Sequence, residues 1–263
     1  MKTLNFKSIN KLMDKNYNIC IETGTFMAES TIDLAKLFGK VYTIELDKKL
    51  YENATEKCKN IKNIKTMYGN SSDLIKDLII EINKENSKTL FYLDAHWSGD
   101  DSVNWEKSSW EGYNKNTAFI KVNHEKYSSP TSSQQVPLDK EINEINNNYI
   151  NECIIYIDDF QNFNIFTLKG LKNVCFEGED WSHMNFGNLL YKLSPRILKL
   201  VYLDDQLIIK LLPKAKACKN KIFKNIKFFI FRISIIKGYL IIKGFTLIKK
   251  YLKKIIKKIK FNF

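Results

Sequence analysis

Paired cysteines and an N-terminal apolar run are both missing from this 263-residue chain. No two of its five cysteines form a Cys-x-x-Cys pair, and several lie within apolar stretches: Cys20, Cys58, Cys153, Cys175 and Cys218. This pattern predicts reduced cysteines in the core of a cytoplasmic protein. Residues 1–18 never reach the roughly 7 to 15 consecutive apolar residues of a signal peptide, so we do not expect export.

Acidic residues are missing from residues 214–263, which hold 16 of the 42 Lys and Arg residues of the chain. Residues 1–213 therefore carry 26 basic and 29 acidic residues, and the net charge of +13 comes from the C-terminal segment. A nucleic-acid-binding domain is not expected, because neutralising phosphates needs a basic face on the domain that grips the nucleic acid. Length and the 44% apolar content suit one α/β domain, residues 1–213, followed by a basic tail, residues 214–263.

The tail carries an amphipathic pattern at residues 249–260, KKYLKKIIKKIK. Its lysines share one helical face, and four apolar residues take the other: Leu252, Ile255, Ile256 and Ile259. We expect a basic helix that lies on the anionic inner face of a membrane and keeps the protein peripheral there. A basic face turned toward solvent or toward a protein partner is the alternative.

Residues 228–248, also in the tail, are apolar enough to suggest a membrane span. Three basic residues interrupt them, each costing about 2.5 to 3.5 kcal/mol near the centre of a bilayer: Arg232, Lys237 and Lys243. Attachment to the membrane surface is therefore favoured over spanning.

Short apolar stretches alternate with helical patterns between residues 19 and 159, which predicts a parallel sheet covered on both faces. We place strands at residues 18–22, 40–45, 64–68, 89–94 and 153–158, and all five are continuous apolar runs, as strands buried on both faces should be. Apolar residues recur at helical spacing between them: Leu74, Ile75, Leu78, Ile79 and Ile82, then Leu138, Ile142 and Ile145.

Residues 196–212, RILKLVYLDDQLIIKLL, read as two strands about a tight turn, an antiparallel hairpin at the edge of the sheet. The predicted fold class is α/β, a doubly wound, Rossmann-like and mostly parallel seven-stranded sheet with this C-terminal hairpin. Residues 98–136 interrupt the pattern with Ser, Asn, Gln and Lys and with four large aromatic residues: Trp105, Trp110, Tyr113 and Tyr127. They are either a floppy insertion or a lid over a substrate.

The first strand ends in IETGTFMAEST, residues 21–31, where an acid, a glycine turn and a helix follow one another. The glycine repeat of a dinucleotide site is missing, since only Gly24 is present, and Glu22 would repel a phosphate. S-adenosylmethionine is positively charged and has no phosphates, so Glu22 favours this methyl donor over NAD. Glu45 ends the second strand 21 residues after Gly24, where an acid can accept hydrogen bonds from ribose hydroxyls. A surface acid is the alternative for Glu45.

Six stretches together resemble the class I S-adenosylmethionine-dependent methyltransferases, and among them the macrocin-type O-methyltransferases that act on sugar hydroxyls: ETGTFMAEST, VYTIELD, YGNSSDLI, LFYLDAHW, PLDKEINEI and IIYIDDF. The resemblance covers about residues 17–165. It implies that methionine and ribose are positioned by the first motif, that Glu45 binds ribose and that adenine meets Asn70 and Ser71. The first-motif residues concerned are Glu22, Thr23, Gly24, Thr25 and Ser30. Where members of the family tend to have a second glycine, this chain has Ala28.

Acids end the fourth and fifth predicted strands, at Asp94 and at Asp158 with Asp159. Three carboxylates at one sheet edge would repel one another unless a hard cation lies between them. The resemblance implies that these three residues bind magnesium, and an all-oxygen donor set favours Mg²⁺ over Zn²⁺. His96 is the expected proton acceptor, with Asp94 as the alternative base; His96 as a structural histidine of the loop is a third reading.

These features favour a Mg²⁺-dependent methyltransferase acting on a sugar hydroxyl, on a nucleotide-linked or glycan sugar of surface (capsular) polysaccharide synthesis. A catechol or a lipid-linked acceptor is the alternative substrate. A catalytically inactive, membrane-tethered scaffold and an NAD-dependent sugar enzyme are the other hypotheses. The latter is disfavoured by the missing glycines and by the lack of a suitably placed Tyr-x-x-x-Lys pair. The sequence leaves open whether the chain forms a homo-oligomer.

Overall fold

The computed structural model describes residues 9–95, 136–158, 160, 184–203, 206–219, 225–226, 228–231 and 233. Within these ranges seven strands form a single sheet: β1 (Tyr17–Thr23), β2 (Lys40–Glu45), β3 (Ile64–Tyr68), β4 (Lys88–Leu93), β5 (Cys153–Ile157), β6 (Ile197–Leu203) and β7 (Gln206–Leu211). Between residues 29 and 193 the described α-helices are α1 (Glu29–Ala35), α2 (Lys48–Cys58), α3 (Ser71–Ile82), α4 (Leu138–Asn148) and α5 (Phe186–Leu193).

The strand order is β3-β2-β1-β4-β5-β7-β6, with β1 to β5 parallel and β7 antiparallel to both of its neighbours. This arrangement confirms the predicted doubly wound, mostly parallel sheet with a C-terminal hairpin. The strand order reverses between β1 and β4, where Thr23 pairs with Leu93. In such sheets ligands bind outside the carboxyl ends of the strands at this switch point, so the fold places a site beside residues 24 and 94.

The core lies on both faces of the sheet. On one face β1, β4 and β5 pack against α3, α4 and α5, and on the other they pack against α1 and residues 9–12. The helical spacing predicted for α3 and α4 is confirmed, because the residues that carry it are buried or partly buried: Leu74, Ile75, Leu78, Ile79, Ile82, Leu138, Ile142 and Ile145.

One expectation is wrong: β3 is not buried on both faces. It is the edge strand next to β2, Lys65 is exposed and Tyr68 is 39% exposed. A strand with one neighbour is open to solvent along its free side, so an apolar run at an edge does not guarantee burial. The proposed lid at residues 98–136 and the basic helix at 249–260 lie outside the described residues, apart from Val136. Among the residues that the structure does describe, no helix is long and apolar enough to cross a membrane.

A buried arginine joins the end of α4 to the hairpin. Arg196 is 2% exposed and donates hydrogen bonds to main-chain oxygens, with N···O distances of 3.0 to 3.4 Å. The acceptors are Ile145, Asn146, Asn151 and Leu212. Burial lowers the pKa of Arg196. The guanidinium therefore ties the end of α4, the loop after it and the strand hairpin together through their carbonyls.

Candidate functional site

The loop after β1 packs directly against the end of β4. Gly24 has φ of 82°, and a Cβ atom added to it would lie 2.7 Å from the main-chain oxygen of Asp94. The Asp94 amide donates to the Thr23 oxygen over 3.1 Å, which fixes the two strand ends together. Only glycine combines this backbone conformation with this close approach.

Four amide groups of this loop donate hydrogen bonds within the protein. Gly24 N and Thr25 N donate to the Ile44 oxygen over 3.0 and 3.3 Å, and Ala28 N donates to the Thr25 oxygen over 2.9 Å. Phe26 N donates to the Glu45 carboxylate over 2.8 Å. A pyrophosphate site needs loop amides that face the ligand. These four amides are engaged within the protein, and the absence of a dinucleotide from this turn stays a prediction.

Ala28 occupies the position where members of the resembled family tend to have glycine. Its φ is 58° and its side chain is fully buried beside Ala54 and Cys58. The loop is thus tight without a second glycine, because Ala28 adopts the left-handed conformation itself. A non-glycine residue in this region costs about 1 to 2 kcal/mol, which the packing of the loop has to offset.

Glu22 holds the loop from inside. Its side chain is fully buried and accepts hydrogen bonds from three hydroxyl groups: Ser30 Oγ at 2.5 Å, Thr31 Oγ1 at 2.5 Å and Thr43 Oγ1 at 2.7 Å. Because Thr43 gives its proton to Glu22, the hydroxyl of Thr25, 2.6 Å from that of Thr43, must be the donor in their contact. Burial raises the pKa of Glu22 to about 7, although the three hydroxyls lower it.

Glu22 and Ser30 thus contact each other, and they shape the loop together with Thr25. Their direct contact with a cofactor stays a prediction, as does that of Thr23. The sequence reading missed Thr31 and Thr43. The polar Thr43 inside the apolar strand VYTIE was the available signal, since a buried hydroxyl in a strand needs a partner.

Glu45 ends β2 as predicted and is 7% exposed. Its carboxylate accepts hydrogen bonds from Phe26 N at 2.8 Å and Asp47 N at 2.9 Å. Burial raises the pKa of Glu45 against the effect of these amides. The main-chain oxygen of Glu45 accepts from Gly69 N over 2.9 Å, so the turn after β3 lies beside it. Asn70 in that turn caps α3 by accepting from Ser72 N over 2.9 Å.

Two of the three predicted metal ligands meet at one phenol. Tyr92 Oη donates to Asp158 Oδ2 over 2.9 Å and lies 3.3 Å from Asp94 Oδ2. Gln206 Nε2 donates to Asp158 Oδ1 over 3.3 Å. Burial, with the charges of Asp94 and Asp158, raises the pKa of Tyr92, so the phenol keeps its proton. The two carboxylates therefore converge beside Gly24, as predicted.

The remaining predicted residues of this centre, His96 and Asp159, lie outside the described residues. Among the residues described, no three His, Cys, Asp or Glu side chains form a group able to hold a metal. Two adjacent carboxylates fit part of a Mg²⁺ donor set, which is made of oxygen ligands. The sequence analysis did not single out Tyr92, although it lies on β4 two residues before Asp94, which directly follows the strand.

A buried carboxylate without a partner lies below the loop. Glu141 on α4 is fully buried, and neither of its oxygens has a hydrogen-bond partner in the described structure; nor does the hydroxyl of Thr23. Burial raises the pKa of Glu141 to about 7. The hydroxyls of Ser71 and Thr23 are near enough to lower this pKa, but neither makes a hydrogen bond of good geometry.

The position of Glu141 was readable from the sequence. Leu138, Glu141, Ile142 and Ile145 follow the spacing of one helical face, and that face is the buried one. An acid at an apolar position of this face indicates a buried carboxylate. Ser71, predicted to meet adenine, is 5% exposed, and its hydroxyl is close enough to Glu141 to lower the pKa of that carboxyl.

No protein-family model and no curated protein sequence matches the chain. A candidate caffeoyl-CoA O-methyltransferase from Staphylococcus aureus matches it with a TM-score of 0.48 and 13% identity, over 81% of this chain and 84% of the other. A candidate methyltransferase from Streptococcus mutans in complex with SAH matches with a TM-score of 0.41 and 14% identity, over 81% and 100% of the two chains. An rRNA methylase from Streptococcus thermophilus matches with a TM-score of 0.39 and 12% identity, over 81% and 98%.

Likenesses this distant carry no conclusion about the reaction or the substrate of this chain. The acceptors named for the matched proteins already range from a caffeoyl thioester to ribosomal RNA.

Proposed function

We propose that this chain transfers a methyl group from S-adenosylmethionine to a hydroxyl group of a sugar, with Mg²⁺ held at the end of β4 and β5. The observation that supports the proposal is the meeting of Asp94 and Asp158 at Tyr92, next to the Gly24 loop. The loop offers the methyl donor an acidic environment, and the amides of Gly24, Thr25, Phe26 and Ala28 are already engaged within the protein. The two carboxylates lie where an acceptor would face that donor.

Each described residue has a definite task in this proposal. Glu22, through Ser30 and Thr31, keeps the loop and α1 in place, and Glu45 holds Phe26 N while its position at the end of β2 suits ribose hydroxyls. Tyr92 and Gln206 orient Asp158, so that the carboxylate is fixed before any ligand arrives. Fixed groups of this kind align an acceptor oxygen with the sulfonium of the donor.

Asp94 and Asp158 would hold Mg²⁺, with Asp159 as the predicted third ligand. When bound, the ion lowers the pKa of an acceptor hydroxyl. The proton then has to leave the site, and His96 is the proposed acceptor, with Asp94 as the alternative. A sugar with two neighbouring hydroxyls, on a nucleotide or a glycan of surface polysaccharide synthesis, suits this arrangement best.

The test is to incubate the protein with S-adenosylmethionine and a panel of nucleotide sugars, with a catechol included, and to measure methylated product by mass spectrometry. We expect product on a sugar with Mg²⁺ and none with EDTA. D94N and D158N should lower turnover by at least about a hundredfold, because each removes a charged ligand. D77N, which changes an exposed acid on α3, is the matched control and should leave turnover unchanged.

The outcomes separate the parts of the proposal. Turnover that survives EDTA contradicts the metal, and product on the catechol alone contradicts the sugar. Calorimetry with S-adenosylmethionine tests the remaining alternative, since a protein that binds no methyl donor is a scaffold and not a methyltransferase. H96Q tests the base: a loss of turnover with unchanged donor binding supports His96, and unchanged turnover favours Asp94.

A further inference from the structure

An exposed row of apolar side chains lies just after the sheet domain. Residues 225–226, 228–231 and 233 are helical, and four large apolar residues there are about half exposed or more: Ile226 at 49%, Phe229 at 63%, Ile230 at 53% and Ile233 at 48%. Their spacing of three, four and seven residues places them on one face of a helix. We call these four residues the apolar row.

The other side of the same helical segment is attached to the domain. The rings of Phe228 and Tyr191 on α5 meet edge to face with centroids 5.3 Å apart, and Phe231 packs against the main core. The apolar row is therefore displayed outward by a segment that is held on the protein, and its exposure is not that of a loose chain end.

The positive charge around the apolar row indicates the kind of surface that this row would contact. Residues 214–263 contain 16 basic and no acidic residues, and Lys216 and Lys219 are exposed shortly before the row. An apolar face set among basic residues is the composition of helices that lie in the surface of an anionic membrane. A second copy of this chain would bring the same positive charge to the contact, which disfavours self-association through this face.

We propose that the apolar row inserts into the surface of a bilayer that contains anionic lipid, at the boundary between headgroups and acyl chains. This contact does not depend on the proposed methyl transfer. Because Phe228 joins the row to α5, and Phe186 of α5 packs on Phe160 with ring centroids 4.6 Å apart, the contact also fixes the end of β5 relative to the membrane.

The experiment uses the full chain and vesicles of phosphatidylcholine with about one third phosphatidylglycerol. We expect the protein to sediment with these vesicles and not with pure phosphatidylcholine, and less so as NaCl is raised. I230S/I233S should weaken partitioning into the vesicles by at least about tenfold, because two isoleucine side chains that would be buried in lipid are lost. The matched control is I80S/L198S, with side chains 48% and 52% exposed on α3 and β6, which should bind like the unchanged protein.

F229W adds a direct readout that does not depend on a loss. The chain already has four tryptophans, so the signal is the emission of F229W minus that of the unchanged protein under the same conditions. This difference emission should move to shorter wavelength with anionic vesicles and be quenched by brominated acyl chains, since the ring would lie about 5 to 10 Å into the interface. Three results would each overturn the proposal. The first is binding to neutral vesicles as strong as binding to anionic ones, and the second is a loss of binding in I80S/L198S equal to that in I230S/I233S. The third is a dimer in sedimentation, formed through the apolar row, together with an F229W difference emission that does not change when lipid is added.

Discussion

Tyr92 donates a hydrogen bond to Asp158 over 2.9 Å while its phenolic oxygen lies 3.3 Å from Asp94. One proton is thus shared between two carboxylates from neighbouring strands. The phenol holds the two acids together at the sheet edge, and Gln206 Nε2 donates to the second oxygen of Asp158. Tyr92 is 4% exposed, so it acts from below the site and not from within it.

Removing this phenol should weaken the metal centre more than the fold. We expect Y92F to lower the affinity for Mg²⁺, measured by calorimetry or by the Mg²⁺ dependence of turnover, by about tenfold to a hundredfold, because a hydrogen bond to a charged group is worth about 1.5 to 3 kcal/mol. Y149F is the control: Tyr149 donates to the Ser87 oxygen at the far end of β4, and its loss should leave the Mg²⁺ dependence unchanged. Equal effects of the two variants would contradict the positioning role of Tyr92.

A methyl group at residue 24 should separate the loop from β4. G24A places a Cβ 2.7 Å from the Asp94 oxygen at a φ of 82°, so the main chain has to move. We expect a loss of about 1 to 3 kcal/mol in the free energy of unfolding and loss of S-adenosylmethionine binding, measured by denaturation in urea and by calorimetry.

Gly39 provides the comparison for this variant. The three atoms nearest to a Cβ there belong to the side chain of Asn18, which can swing away. G39A should therefore keep donor binding even if it loses some stability. A G24A protein that binds the donor normally would show that the loop does not form the cofactor site.

The unpartnered Glu141 should make stability depend on pH. Its pKa is about 7 in the folded protein and near 4.5 in the unfolded chain, so between these values the folded form keeps a proton that the unfolded form has lost. Stability contributed by this proton is present at low pH and is lost as the pH rises through 7. We expect E141Q to remove a penalty of up to about 3 kcal/mol at pH 8 and to change little at pH 5.

Urea unfolding at pH 5, 6, 7 and 8 measures this difference. Glu22 also has a pKa of about 7, so it still makes the stability of the E141Q variant depend on pH. E81Q changes an exposed residue of α3, so its free energy of unfolding should vary with pH in the same way as that of the unchanged protein. If the free energy of unfolding of E141Q also varied with pH like that of the unchanged protein, the Glu141 carboxyl would have a partner in solution.

Arg196 should matter for the fold alone. R196K keeps the charge but is too short and too narrow to reach the four carbonyls, so we expect a loss of about 2 to 4 kcal/mol in the free energy of unfolding, with donor and Mg²⁺ binding unchanged. K192A removes an exposed hydrogen bond to Asn143 and should cost less than about 0.5 kcal/mol. A destabilisation of R196K as small as that of K192A would contradict this account.

Most of the fold was readable from the sequence because its signals are local. Parallel strands buried on both faces are continuous apolar runs, and β2 and β3 were predicted to the residue. What failed was the burial of β3. Its position at the sheet edge follows from strand order, which no short window of sequence contains.

The candidate site was readable only in part, for a related reason. Glu22, Gly24, Glu45, Asp94 and Asp158 stand at strand ends, and the ends of parallel strands meet at one edge. The groups that hold them, such as Tyr92, Thr31 and Gln206, come from inside strands and helices or from the hairpin. Their partners are distant in sequence: Gln206 reaches Asp158 across 48 residues. Such pairs depend on register and on side-chain direction, which the sequence does not state.

The position of β7 between β5 and β6 has a consequence during synthesis. β6 leaves the ribosome first, yet it pairs only with β7, and β5 pairs with β7 on its outer side. Until residues 206–211 emerge, the nascent sheet has an open apolar margin at β5. That margin is a target for intermolecular strand pairing, so we expect chains stalled before residue 206 to need chaperone protection that completed chains do not.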